Sequence, residues 1–92
     1  MRLDKFLKVS RIIKRRTVAN EACAGGRVTL NDRVAKPSAE IHVGDILAIR
    51  FGEHIGKYRI LGVQETVKKE AADQLYEVLS EDAELIRERN LS

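Results

Sequence analysis

The first sixteen residues cannot form one continuous helix, and that restriction shapes what the rest of the chain can build. At about 100° per residue, Leu3, Phe6 and Leu7 share one helical face, Lys5 and Lys8 the opposite one, and Arg2 the margin. Carried on unbroken, the same helix would turn Ile12 onto the lysine face and spoil both stripes. The chain is therefore expected to break between Val9 and Ile12 and to start a second helix near Arg15 or Arg16. In that helix Val18, Ala19, Ala22 and Cys23 make a small apolar face. Arg16 and Asn20, four residues apart, lie on a polar face beside Thr17. Charge concentrates at this elbow: residues 1–16 hold Arg2, Lys5, Lys8, Arg11, Lys14, Arg15 and Arg16 against the single acid Asp4. Two short helices meeting at a basic elbow make a shape that grips phosphates.

The remaining 76 of 92 residues read as the scaffold for that elbow. A chain of this length makes one domain, and it buries only about 60–65% of its unfolded surface, which leaves no room for a deep active-site cleft. Eleven basic and five acidic side chains fall in residues 1–50, against six and nine in residues 51–92, so a basic front faces an acidic back. Such a dipole orients a molecule on a polyanion. Only Phe6, Phe51, Tyr58 and Tyr76 are aromatic, too few for a platform of stacked bases. Folded RNA, read through backbone and shape, is the expected partner. A DNA-reading helix-turn-helix needs a row of long polar side chains on its second helix, and after Arg16 and Asn20 alanines take over.

Cys23 stands alone on the apolar face, which suits a small buried hydrophobe in a reducing cytosol. The start MRLDKFLK lacks the apolar run of a signal peptide, and no stretch is apolar enough to span a membrane, so a cytoplasmic location is expected. His42 and His54 lie apart, without a second cysteine to complete a zinc site. Gly25-Gly26 lacks the lysine and hydroxyl of a phosphate loop. No paired carboxylates sit in an apolar setting. The expectation is a protein without catalytic residues, metal or cofactor.

Downstream, Gly25-Gly26 should stop the second helix. Val28 to Leu30 reads as a strand, Asn31-Asp32 as a tight hairpin turn, and Lys36-Pro37-Ser38 as loop or edge. Ile41-His42-Val43 alternates like another strand. Ile46 to Ile49 is the expected central strand, the segment through Gly56 a loop, and 57–63 a further strand with Tyr58 and Ile60 on one face. From Val67 the period changes: Val67, Ala71, Leu75, Val78 and Leu79 mark a helix, and Ser80-Glu81-Asp82 caps a last one through Leu85 and Ile86. The reading is an α+β fold with residues 1–64 as an RNA-binding domain and 65–92 as a helical extension.

Met1-Arg2-Leu3-Asp4-Lys5-Phe6-Leu7, Lys14-Arg15-Arg16-Thr17-Val18-Ala19, Gly26-Arg27-Val28 with Asn31, and Val43-Gly44-Asp45 before Ile46 together resemble the S4 RNA-binding domain over roughly residues 1–52. That resemblance implies two N-terminal helices packed on a small, mostly antiparallel sheet. Within the family the chain is similar to small bacterial stand-alone members, the ribosome-associated heat-shock protein and, above all, a ribosome quality-control factor. The latter lacks the heat-shock relative's long basic tail, as does the acidic end of this chain. The resemblance implies a monomeric factor on the large ribosomal subunit carrying an obstructed nascent chain. It would contact large-subunit ribosomal RNA and peptidyl-site tRNA, and support alanine tailing by an RqcH-type elongation factor. The positions matching the family's RNA face are Arg2, Lys5, Lys8, Arg11, Lys14, Arg15, Arg16, Thr17, Asn20 and Arg27. Asp4 either serves the first helix, as an N-terminal charge or a partner for Lys8, or orients Arg2 or Lys8 toward RNA. Alternatives are an RNA-targeting module of the kind fused to pseudouridine synthases and a tRNA synthetase, a general ribosome- or heat-shock-associated RNA-binding protein, or a protein adaptor working through the acidic C-terminal helices. The first needs a catalytic domain, and none is expected in the chain from Met1 to Ser92.

Overall fold

The break after Val9 is where the sequence demanded it. In the computed structural model, which describes residues 1–81, helix α1 runs Leu3–Val9 and helix α2 Arg16–Ala24. Ile12 and Ile13, freed from the helical stripe, are both fully buried in the core. Helix α1 ends with Ser10 as its cap and Arg11 in the left-handed region at φ 63°, the Arg11 N–H donating to the Lys8 carbonyl. Helix α2 also ends with a left-handed residue, here Gly26 (φ 75°). There the Gly26 N–H donates to Cys23 and the Arg27 N–H to Ala22. Glycine adopts that conformation freely. Arginine holds it at a cost of about 1–2 kcal/mol.

Five antiparallel strands follow in the order β2-β1-β3-β4-β5: β1 Val28–Leu30, β2 Arg33–Val34, β3 Ile46–Phe51, β4 His54–Ile60 and β5 Tyr76–Ser80. Asn31 and Asp32 take φ 53° and 68°, the paired positive values that a two-residue hairpin turn requires. The Asn31 side chain also ties the hairpin to β3, accepting from the Ile46 N–H at 2.9 Å and donating to Asp45 at 3.1 Å. Val28, Leu47, Ile49, Tyr58 and Ile60 face the helices. They form one core with Leu3, Phe6 and Leu7 of α1 and Ala19, Ala22 and Cys23 of α2. The expected α+β architecture is present: two helices on a small antiparallel sheet.

Four local expectations are corrected. Ile41-His42-Val43 is not a strand, because the Asp45 carboxylate takes the His42 N–H at 2.8 Å and the Asp45 N–H donates to the His42 carbonyl, closing a turn. His54 to Gly56 is not loop: Gly52 (φ 60°) and Glu53 make the turn, and His54, Ile55 and Gly56 pair with Phe51, Arg50 and Ile49. The expected helix from Val67 to Leu79 is a 3-10 helix, Lys69–Leu75, followed by β5. Ala72 and Leu75, three apart, are buried on the three-residue period, while Tyr76 to Ser80 hydrogen-bond along the open edge of β4. Edge pairing prevailed over helical periodicity. Ser80, expected as a helix cap, ends β5, and the rest of that expected helix lies outside the described residues.

Candidate nucleic-acid interface

Buried carboxylates in small domains have to be answered by donors, and Asp4 is answered by four residues. It is 2% exposed in the first turn of α1. Arg2 donates from Nε to Oδ1 at 3.2 Å and from Nη2 to Oδ2 at 3.3 Å. Arg16 Nη2 donates to Oδ1 at 3.4 Å, Asn20 Nδ2 to Oδ2 at 3.3 Å, and the Lys5 N–H to Oδ1 at 2.8 Å. Burial pushes the Asp4 carboxyl up. The side-chain hydrogen bonds from Asn20 and Arg2, the charge of Arg16 and the Lys5 N–H together outweigh burial and hold it below the ordinary 3.8. The carboxylate is thus an anchor that stays charged.

What it anchors matters more. Arg2 and Arg16 keep 52% and 48% of their side chains exposed, so each guanidinium is held by one part of its fork and presents the rest to solvent. Asp4 pairs with Arg2 rather than with Lys8, and it brings α1 and α2 together at one polar point. The long separations, from Asp4 to Arg16 and Asn20, are what the sequence left open. The N–H groups of Leu3 and Asp4 at the start of α1 donate to the carbonyls of Ala39 and Pro37, whereas no side chain caps α2 at Arg15. The α2 start therefore adds partial positive charge beside Arg16 and the exposed Thr17.

The ten candidate positions do not form a single patch. Arg2, Lys5 and Arg16 line a shallow groove of about 460 Å³ with Met1, Ser38, Glu40 and Glu65. Lys8 and Arg11 line a second, of about 200 Å³, which Glu65 also borders. Lys14 and Arg15 stand exposed in the elbow between the helices. Arg27 lies elsewhere, in a third groove of about 290 Å³ on the sheet that shares no residue with the other two. Glu65, missed in the sequence, takes Lys5 Nζ at 3.3 Å across sixty residues of chain.

Among the described residues no group of histidine, cysteine or carboxylates is placed to hold a metal, and no helix is long and apolar enough to cross a membrane. Burial, reinforced by the charge of Asp4, pushes the Cys23 thiol up to about 11, so it stays protonated at neutral pH. Tyr58 is buried and meets the half-buried Tyr76 edge to face, with ring centroids 5.5 Å apart, so the Tyr58 ring is not offered as a stacking platform.

Residues 1–47 match the S4 domain model. A "RQC P-site tRNA stabilizing factor" from Halalkalibacterium halodurans is 56% identical over 82 residues, covering 89% of this chain and 93% of that protein. One of the same name from Listeria innocua is 50% identical, covering 89% of each. Among solved structures, heat shock protein 15 of Vibrio cholerae, determined as a trimer, superposes with a TM-score of 0.77 at 30% identity, covering 99% of this chain and 90% of that one. With the helical elbow, the hairpin and the antiparallel sheet all in place, the chain belongs to the S4 domain family.

Proposed function

We propose that this protein is a non-catalytic RNA-binding factor of ribosome-associated quality control. It binds the large ribosomal subunit that carries a stalled nascent chain, and it contacts peptidyl-site tRNA and ribosomal RNA so that an RqcH-type partner can add alanine tails. The observation that carries this reading is the Asp4 anchor, which holds Arg2, Arg16 and Asn20 of two helices in one half-exposed, basic group. Two half-free guanidinium forks fixed at a set separation suit the phosphates of a folded RNA better than a free small anion. Support for the pathway comes from the relatives at 50% and 56% identity, which are named for stabilising P-site tRNA. The ten positions Arg2, Lys5, Lys8, Arg11, Lys14, Arg15, Arg16, Thr17, Asn20 and Arg27 are the proposed RNA contacts. On this reading residues 1–64 carry those contacts, residues 65–92 tune them, and the protein works as a cytoplasmic monomer.

Deleting the protein from cells that express a stalling message tests the proposal. Alanine tails on the stalled chains are expected to disappear and to return when the wild-type chain is supplied. Tails that persist unchanged, in cells where the protein still co-sediments with large subunits when present, would assign it to another ribosomal pathway.

A further inference from the structure

Among the described residues, the helices cover one face of the sheet and leave the other to solvent. On that uncovered face β3 and its neighbours bring three cations together. Thr29 lies opposite Ala48 and Ala48 opposite Lys57, while one row along Arg50 lies opposite Ile55. The Arg50 N–H donates to the Arg27 carbonyl at 2.9 Å, which extends the pairing of Val28 with Ile49 and sets Arg27 beside Arg50. Lys57 is the diagonal neighbour of Arg50 across the strand pair. All three are exposed, and among the described residues none is engaged by a carboxylate. By contrast Arg59, on the next row of β4, is answered by Glu77 at 2.7 Å. Among the described residues Asp32 is the one acid bordering the groove that these cations line.

Like charges set side by side across a sheet are destabilising unless something answers them. Among the described residues no side chain does, although Glu77 shows that β5 can supply a carboxylate one row away. We propose that this uncovered sheet face, through Arg27, Arg50 and Lys57, is a second contact for RNA backbone, separate from the helical elbow. The chemistry selects a nucleic acid over a small free anion. The groove is shallow and open, its cations are spread over two strand rows, and Ile55 beside Arg50 is 48% exposed, offering an apolar surface to a ribose. Arg27 thereby parts from the elbow residues and acts with Arg50 and Lys57, which lie beyond the ten positions assigned from the sequence.

The inference rests on the proposed RNA-binding role, and the test separates the two. The full-length Arg50→Ala/Lys57→Ala variant is compared with wild type and Arg16→Ala by co-sedimentation with purified large ribosomal subunits over a salt series. Among the described residues neither altered side chain has a partner to lose, so circular dichroism should match wild type and the melting temperature should equal or slightly exceed it as like-charge repulsion is relieved. The expected result is affinity weakened about tenfold and a salt slope shallower by about 1.4–1.8, the share of two phosphates. Wild-type affinity and slope for the double variant, with Arg16→Ala impaired, would overturn the sheet contact and leave the elbow standing. If both variants bind like wild type, the RNA-binding reading itself fails. Loss of alanine tails without any loss of subunit affinity would mark the face as a protein contact and overturn the proposal. A second readout needs no substitution. Acetylation of Lys57 in the wild-type chain should be slowed by bound subunits, and equal labelling of free and bound protein would refute the contact.

Discussion

Replacing Arg16 by alanine separates a binding role from a structural one. Arg16 gives Asp4 one contact at 3.4 Å and leaves 48% of its side chain exposed, while Asp4 keeps Arg2, Asn20 and the Lys5 N–H. Because the buried Asp4 keeps three other donors, losing this one contact from the half-exposed Arg16 should cost about 0.5–1 kcal/mol of stability. In a domain of this size that is a melting shift of only a few degrees, roughly 2–8 °C. A charge-assisted contact to phosphate, by contrast, contributes about 1.5–3 kcal/mol, which corresponds to roughly a tenfold to hundredfold loss of affinity. Lys68→Ala is the control: it removes one positive charge from an exposed side chain that precedes the 3-10 helix, and its effect should stay within about twofold. Both variants are first matched to wild type by circular dichroism, then compared by co-sedimentation with large ribosomal subunits. Equal binding of the two folded variants would refute the elbow as the binding centre.

Acid titration probes the anchor. Because the folded pKa of Asp4 lies below 3.8, its stabilising contribution is complete above the unfolded pKa and is lost as pH falls through the folded one. Asp4→Asn should thus be less stable than wild type at pH 7, with the gap in melting temperature narrowing below about pH 4; a gap that stays constant into acid would contradict the ionised anchor. Arg11→Gly should relieve the left-handed backbone at φ 63° and raise stability by up to about 1 kcal/mol, while subunit affinity falls severalfold. Unchanged affinity would remove Arg11 from the interface. Glu65→Gln frees Lys5 from an exposed pair, so stability should move by less than about 0.5 kcal/mol while subunit affinity rises about two- to threefold. A fall in affinity would show that Glu65 itself is an RNA contact.

The parts of the molecule that were legible in the sequence are those set by neighbours along the chain. Ile12 would have spoiled the stripe of Leu3, Phe6 and Leu7, so the helix had to break; Asn31-Asp32 tolerates the positive φ of a hairpin turn. Both follow from local sterics and helical period. What stayed hidden depends on distant partners. β5 exists because the open edge of β4 offers hydrogen bonds to residues 76–80, and nothing within 76–80 reveals that edge. Leu75 belongs to the same core as α1, so residues beyond 64 are structurally continuous with the sheet even where the sequence suggested a helical extension. The candidate site was half visible for the same reason. The basic residues and the lone Asp4 could be counted, but its contacts with Arg16 and Asn20 span twelve and sixteen residues. The meeting of Arg27 with Arg50 required the register of β1 against β3.

A cryo-EM map of ribosomal particles purified through this protein tests the central claim most directly. The account predicts the protein on the large subunit with α1 and the start of α2 turned toward RNA, and with Arg2 and Arg16 within hydrogen-bonding distance of phosphate oxygens while still joined to Asp4. A map in which that elbow faces solvent and RNA lies against other surfaces alone would contradict it.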